Sequence, residues 1–142
     1  MLHEVVDDPD GCSPAALREA YEAELRGAVE ANGVDAVAAE SGVDRGTLER
    51  LVDGACPELT LEEAAAILAT REDVRDAETV VTTVRDHLLM GMATGVLDVD
   101  TVAANVGLDL TGREIQQALE GRAPMTLAEL AAIHRFIAER NG

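Results

Sequence analysis

An all-α fold is predicted by three features of this 142-residue chain. Twenty-four alanines stand among many leucines and valines, a composition that favours helix because alanine loses no side-chain entropy there. Cap and stop residues recur at short intervals. One stretch also occurs twice: Asp35-Ala-Val-Ala-Ala-Glu-Ser-Gly42-Val43-Asp44 matches Asp100-Thr-Val-Ala-Ala-Asn-Val-Gly107-Leu108-Asp109 without a gap. Gly54-Ala-Cys-Pro57-Glu-Leu-Thr60-Leu61 then matches Gly121-Arg-Ala-Pro124-Met-Thr126-Leu127 with one residue fewer, and Ala65-Ala66-Ile67 matches Ala131-Ala132-Ile133. The expectation is two tandem pseudo-repeated four-helix units: an N-terminal acidic segment at 1–12, a first unit at 13–70, a short charged connection at 71–75 and a divergent second unit at 76–142.

Each element follows from local chemistry. Ser13-Pro14 supplies a cap and a first-turn proline, and Asn32-Gly33 a stop. Between them Leu17, Tyr21, Leu25, Ala28 and Val29 share one helical face. Asp35 is placed to cap a short helix ending at Gly42, and Asp44 another ending at Gly54. Thr60 to Glu63 has capping-box spacing and opens a helix to about Ala69. In the second unit Val80, Val81, Val84, Leu88 and Met92 form the stripe of a long amphipathic helix. Thr111 to Glu114 again has capping-box spacing. Met90 and Met92 are expected to fill gaps in an aromatic-poor core, and Gly91 and Gly95 to mark a close helix contact or a helix end.

The charge is extreme. The chain has 28 acidic residues against 11 arginines and no lysine, a net charge of −17. Spread over roughly 7,000 Å² of folded surface, that is about one net negative charge per 400 Å², a strong self-repulsion at ordinary salt. At molar salt the Debye length falls to about 3 Å and the repulsion nearly vanishes. Carboxylates with arginine as the sole cation resemble the surfaces of salt-in halophiles such as haloarchaea, and dilution is expected to loosen the fold. An apolar content of 47% excludes a disordered acidic tail. No basic excess marks an ordinary nucleic-acid or membrane-surface binder. The longest uncharged run, Leu88 to Leu97, is too short for a membrane span. Residues 1–11 lack arginine and show no signal-peptide pattern. Cys12 and Cys56 suit a reduced cytosol and allow one disulfide without specifying it.

In each unit a short helix, a glycine turn and a second short helix follow in order. Ala38-Ala39 permits close helix approach, Gly42 permits a positive φ, Val43 plugs the turn, and Leu48, Leu51 and Val52 form the buried stripe of the next helix. Residues Val37-Ala-Ala-Glu-Ser-Gly-Val-Asp-Arg-Gly-Thr-Leu-Glu-Arg-Leu-Val-Asp-Gly54, followed by Pro57 and Thr60-Leu61, resemble the Cro/C1-type helix-turn-helix family. The second unit resembles it more weakly, with Ala104, Gly107 and Leu108 at the positions of Ala39, Gly42 and Val43. Taken whole, the chain resembles an uncharacterised haloarchaeal family carrying this unit twice.

The resemblance implies a recognition helix beginning near Asp44, with Arg45, Gly46, Glu49, Arg50 and Asp53 outward. Arg45 and Arg50 can reach guanine edges or phosphates, and Thr47 a phosphate. Glu49 and Asp53 oppose that use. Two extra residues between Gly107 and Gly121 lengthen the second turn. The helix after it is expected to bury Ile115, Ala118 and Leu119 and to present Arg113, Gln116 and Gln117. Glutamine beside arginine suits base-edge reading, though exposed glutamines also serve solubility. Residues 35–60 carry a net charge of −4 and residues 100–127 of −2, so neither stretch has a basic footprint. Counterion release is small in molar salt, and specific contacts then carry more of the affinity.

The leading expectation is a non-enzymatic, DNA-associated transcriptional regulator in a cytoplasm. Its rival is an acidic protein-interaction or assembly module on a degenerate scaffold, with another protein or a second copy of the chain as partner and no DNA binding. No cofactor, metal, membrane or small-molecule partner is inferred. His3, His87 and His134 share no ligand spacing with the cysteines, and His134 is expected to pack in the last helix.

Overall fold

A computed structural model describes residues 11, 13–55, 58–71, 74 and 76–141. Cys12, Cys56, most of the 1–12 segment and residues 72, 73 and 75 of the connection lie outside the described residues, so the disulfide question falls outside them too. The described chain is all-helical: α1 (Pro14–Asn32), α2 (Val34–Ser41), α3 (Arg45–Val52), α4 (Leu61–Leu68), α5 (Ala77–Thr94), α6 (Val99–Asn105), α7 (Gly112–Leu119) and α8 (Leu127–Asn141).

The helix starts are chemically marked. The Ser13 hydroxyl accepts from the Ala16 amide, with Pro14 in the first turn. Asp44 accepts from Thr47, and Thr60 and Thr111 each form a reciprocal capping box with the glutamate three residues on. A cap of this kind stabilises a helix by about 1 kcal/mol. The second helix departs from expectation. Asp35 does not cap it; α2 begins at Val34, directly after Gly33, whose φ of 89° ends α1 and starts α2 in one residue. The chain has no separate linker there, so Asp35 falls in the first helical turn with its side chain outside.

One hydrophobic core runs through both halves of the molecule. From the first half it takes Leu17, Tyr21, Leu25, Val29, Leu48, Leu51 and Leu61; from the second, Val80, Val84, Leu88, Ile115, Leu119, Leu130 and Ile133. Most packing pairs come in matched sets, although α1 also packs on α2 in a way that α5 and α6 do not match. α1 lies on α8 and α5 on α4; α1 lies on α4 and α5 on α8; α1 meets α3 and α5 meets α7; α2 meets α3 and α4, as α6 meets α7 and α8. At the centre the chain entering α4 pairs antiparallel with the chain entering α8 in a single bridge, Thr60 to Thr126. The Leu61 amide donates to the Met125 carbonyl (2.7 Å) and the Leu127 amide to the Leu59 carbonyl (2.8 Å).

Two side-chain features tie α8 into this frame. The buried Tyr21 hydroxyl and His134 Nδ1 are hydrogen-bonded at 2.6 Å, and His87 meets the His134 ring edge-on. Gly91 lets α5 approach α8 so closely that a Cβ there would stand 2.5 Å from an Ile137 methyl. The methionine expectation holds for one residue of the pair. Met92 is buried, whereas Met90 is 70% exposed. Leu88 and Met92 lie one helical turn apart on the inner face, and Met90 between them points to the opposite side. Gly95 stands at the C-terminal cap of α5.

Candidate nucleic-acid interface

The pair α2 and α3 is joined by Gly42, Val43 and Asp44. Gly42 adopts φ 74°, a left-handed conformation that favours glycine. Its amide donates to the Ala38 carbonyl, closing the last turn of α2. Val43 is buried beneath the turn, and its amide donates to the Ser41 hydroxyl. Leu48 and Leu51 anchor α3 in the core, while Val52 is half-buried at its edge. The outer surface of the helix therefore consists of Arg45, Gly46, Glu49, Arg50 and Asp53, all exposed.

The electrostatics of that surface are dominated by pairing. Arg45 Nη1 lies 2.7 Å from Asp35 Oδ1, and its Nε donates to Glu49 Oε1 at 3.0 Å. The hydrogen bond donated to Glu49, then the charges of Asp35 and Glu49, push the guanidinium's already high pKa further up. Arg45 is thus held between two carboxylates at the start of α3. Arg50 has no ion pair among the described residues; its Nη2 lies 3.4 Å from the Thr47 hydroxyl, which faces it across one turn. The Thr47 amide is the donor to the Asp44 cap, so Thr47 belongs first to the helix start.

In the second half α6 and α7 are separated by a longer segment that includes Gly107 at φ 70°. Leu108 is half-buried, as are Val106 and Leu110. Ile115, Ala118 and Leu119 are buried and Arg113 and Gln116 exposed. Gln116 Nε2 donates to Glu120 Oε1 at 2.8 Å. Gln117 is not fully outward. The chain after α7 folds back so that the Arg122 and Ala123 amides both donate to the Gln117 carbonyl, and the side chain lines a small cleft with Leu110, Met125 and Ile133.

Two expected packing residues also need correction. Ala39 and Ala104 are exposed, and the half-buried alanines are their predecessors, Ala38 and Ala103. With Val37 and Val102 fully buried, a residue two positions on lies about 200° around the helix, on the outer face.

Residues 17–140 match a family of unknown function, DUF5791. The chain belongs to this family. The match reaches into every helix, taking in both glycine turns and the exposed faces of α3 and α7. Neither the curated proteins nor the solved structures give a match to the chain.

The Arg45–Asp35 pair is a feature of this DUF5791 surface that sequence reasoning missed. The Arg45–Glu49 contact follows from i,i+4 spacing, but Asp35 stands ten residues earlier on another helix. Its approach depends on the angle that Gly42 sets between α2 and α3. Among the described residues no group of three or more His, Cys, Asp and Glu side chains is placed to hold a metal ion. No helix among them is long and apolar enough to cross a membrane.

Proposed function

We propose that this chain is a DNA-associated regulatory protein built from two helix-turn-helix units. The observation that carries the reading is the repeated arrangement of two short helices around a left-handed glycine, α2–Gly42–α3 and α6–Gly107–α7. In both, the second helix keeps its apolar side in the core and an arginine-bearing side in solvent. The matched packing pairs and the Thr60–Thr126 bridge support a related pair of units. Two such units in one chain can address two half-sites as a repressor dimer does. Arg50 and Arg113, neither in an ion pair among the described residues, are the residues best placed for phosphate or base contact. Arg45 would have to exchange Asp35 and Glu49 for DNA. The −17 charge fits a protein that works in concentrated salt, where self-repulsion and DNA repulsion are both screened.

One observation favours a second reading, an acidic protein-interaction module. Arg45 and Gln116 already spend their donors on neighbouring carboxylates. The two readings part in a retention assay on genomic DNA fragments in molar KCl, comparing the wild type with Arg45→Ala/Arg50→Ala. Sequence-selective retention by the wild type, lost in the variant, is the expected result. A folded wild type that retains no fragment selectively overturns the DNA reading and leaves the interaction module.

A further inference from the structure

The two halves of the molecule treat one matched position in opposite ways. In the second half Arg85 of α5 reaches the end of α7. Its Nη2 donates to Glu62 Oε1 on α4 at 2.6 Å, and its Nε donates to the Ala118 carbonyl at 3.3 Å. Gly121 borders the guanidinium so closely that a Cβ there would stand 3.1 Å from Nη1. This side chain is 14% exposed and fills its corner of the fold.

The corresponding corner of the first half has the same backbone and different side chains. The buried stripes Leu17, Tyr21, Leu25, Val29 and Val80, Val84, Leu88, Met92 advance in step. Glu22, next after Tyr21, therefore stands where Arg85 stands, next after Val84. The Gly54 amide donates to the Leu51 carbonyl (3.2 Å) just as the Gly121 amide donates to the Ala118 carbonyl (3.3 Å). Through the Thr60–Thr126 bridge, Ala128 of α8 takes the place of Glu62. The small Ala128 thus replaces Glu62 on one wall, glycine is kept at Gly54 and Gly121, and a carboxylate replaces the guanidinium on the other wall. What results is a cavity of about 620 Å³, whose wall includes Glu22, Gly54, Ala128, Arg18 and Arg26.

Glu22 is 2% exposed, and its Oε2 is buried without a hydrogen-bond partner among the described residues. Among the described residues it is ion-paired with Arg18 Nε at 3.9 Å, which is beyond hydrogen-bond reach. A buried carboxylate oxygen with no donor is costly, and a cation bearing N–H groups removes that cost. We propose that this cavity binds a small organic cation of the guanidinium or ammonium class, with Glu22 receiving its N–H donors as Glu62 receives those of Arg85. This site is independent of α3 and α7, and of whether the chain meets DNA.

The probe is argininamide, followed through the backbone amide NMR signals of Gly54 and Ala128 in the folded full chain. Saturable shifts of both signals are expected in the wild type. Glu22→Gln removes the charge and should weaken the interaction at least about tenfold, the loss of one charge-assisted contact. Ala128→Leu narrows the cavity from α8 with Glu22 in place and should weaken it as well, which keeps the test valid if Glu22→Gln does not fold. The proposal is overturned by an absence of saturable shifts, by undiminished affinity in a folded variant, or by N-acetylglycine, an anion, moving the same signals equally well.

Discussion

The turn joining α2 to α3 is three residues long, and the one joining α6 to α7 is six. Both use the same devices: a glycine at positive φ, then a residue whose side chain caps the next helix. They differ in what fills the space beneath. Val43 alone is buried under the short turn, whereas Val106, Leu108 and Leu110 share the longer one, each half-exposed. The outward chemistry differs as well. The short turn brings α2 and α3 to an angle at which Asp35 reaches Arg45; after the long turn, Arg113 has no ion pair among the described residues. Turn length here goes with which arginine is available and with how deeply the turn is plugged: Val43 is buried, whereas its counterpart Leu108 is half-exposed.

The comparison can be broken most forcefully in the core. Leu48→Ala and Ile115→Ala delete equivalent, fully buried side chains of α3 and α7, and each should cost about 2–5 kcal/mol. Because one core runs through both halves, each variant should lower the midpoint of a single unfolding transition in a denaturant titration. Two separated transitions, with only one moving per variant, would show that the halves fold independently.

A smaller effect isolates the turns themselves. A Cβ at Gly42 or Gly107 meets nothing within 4 Å, so Gly42→Ala and Gly107→Ala report backbone strain alone, about 1–2 kcal/mol each. Equal losses of stability are expected despite the different turn lengths. A markedly smaller loss at Gly107 would mean that the longer turn relaxes around the substitution.

The smallest effect concerns the helices that lead into the turns. α2 starts on Gly33 with no side-chain cap, while α6 starts on Asp98, whose carboxylate accepts from the Thr101 amide at 2.7 Å. The Thr101 backbone hydrogen bond and then its side-chain one hold Asp98 below the usual carboxylate range. A depressed carboxylate contributes its full stabilisation above the unfolded value and loses it as pH falls through the folded one. The melting temperature of the wild type relative to Asp98→Asn should therefore shrink on acidification from about pH 6 to below about pH 4. Amide exchange in α2 should not respond to the substitution. A difference that stays constant with pH would remove the charged cap from the account.

Local chemistry made most of the secondary structure legible. Ser13, Asp44, Thr60 and Thr111 announce helix starts, because a side-chain oxygen three residues before an otherwise unpaired amide has an obvious partner. The stripes Leu17–Tyr21–Leu25 and Val80–Val84–Leu88 announce which faces are buried, because residues four apart share a side of a helix. At three positions the same reasoning misjudged phase. Ala39, Ala104 and Met90 lie about 200° from their buried neighbours and face outward. Asp35 looked like a cap until Gly33 proved able to end one helix and begin the next.

Two sets of four helices, the caps at Ser13, Asp44, Thr60 and Thr111, and the glycines that turn the chain are legible from sequence, since all of these depend on contacts within a few residues. Long-range packing is what lays α1 on α8 and α5 on α4, closes Asp35 on Arg45, and leaves Glu22 and Ala128 lining a cavity at the corner matching the one where Arg85 meets Glu62. Those outcomes depend on the angle at which helices distant in sequence cross. That angle is set by the packing of the whole core, and no local spacing of residues records it.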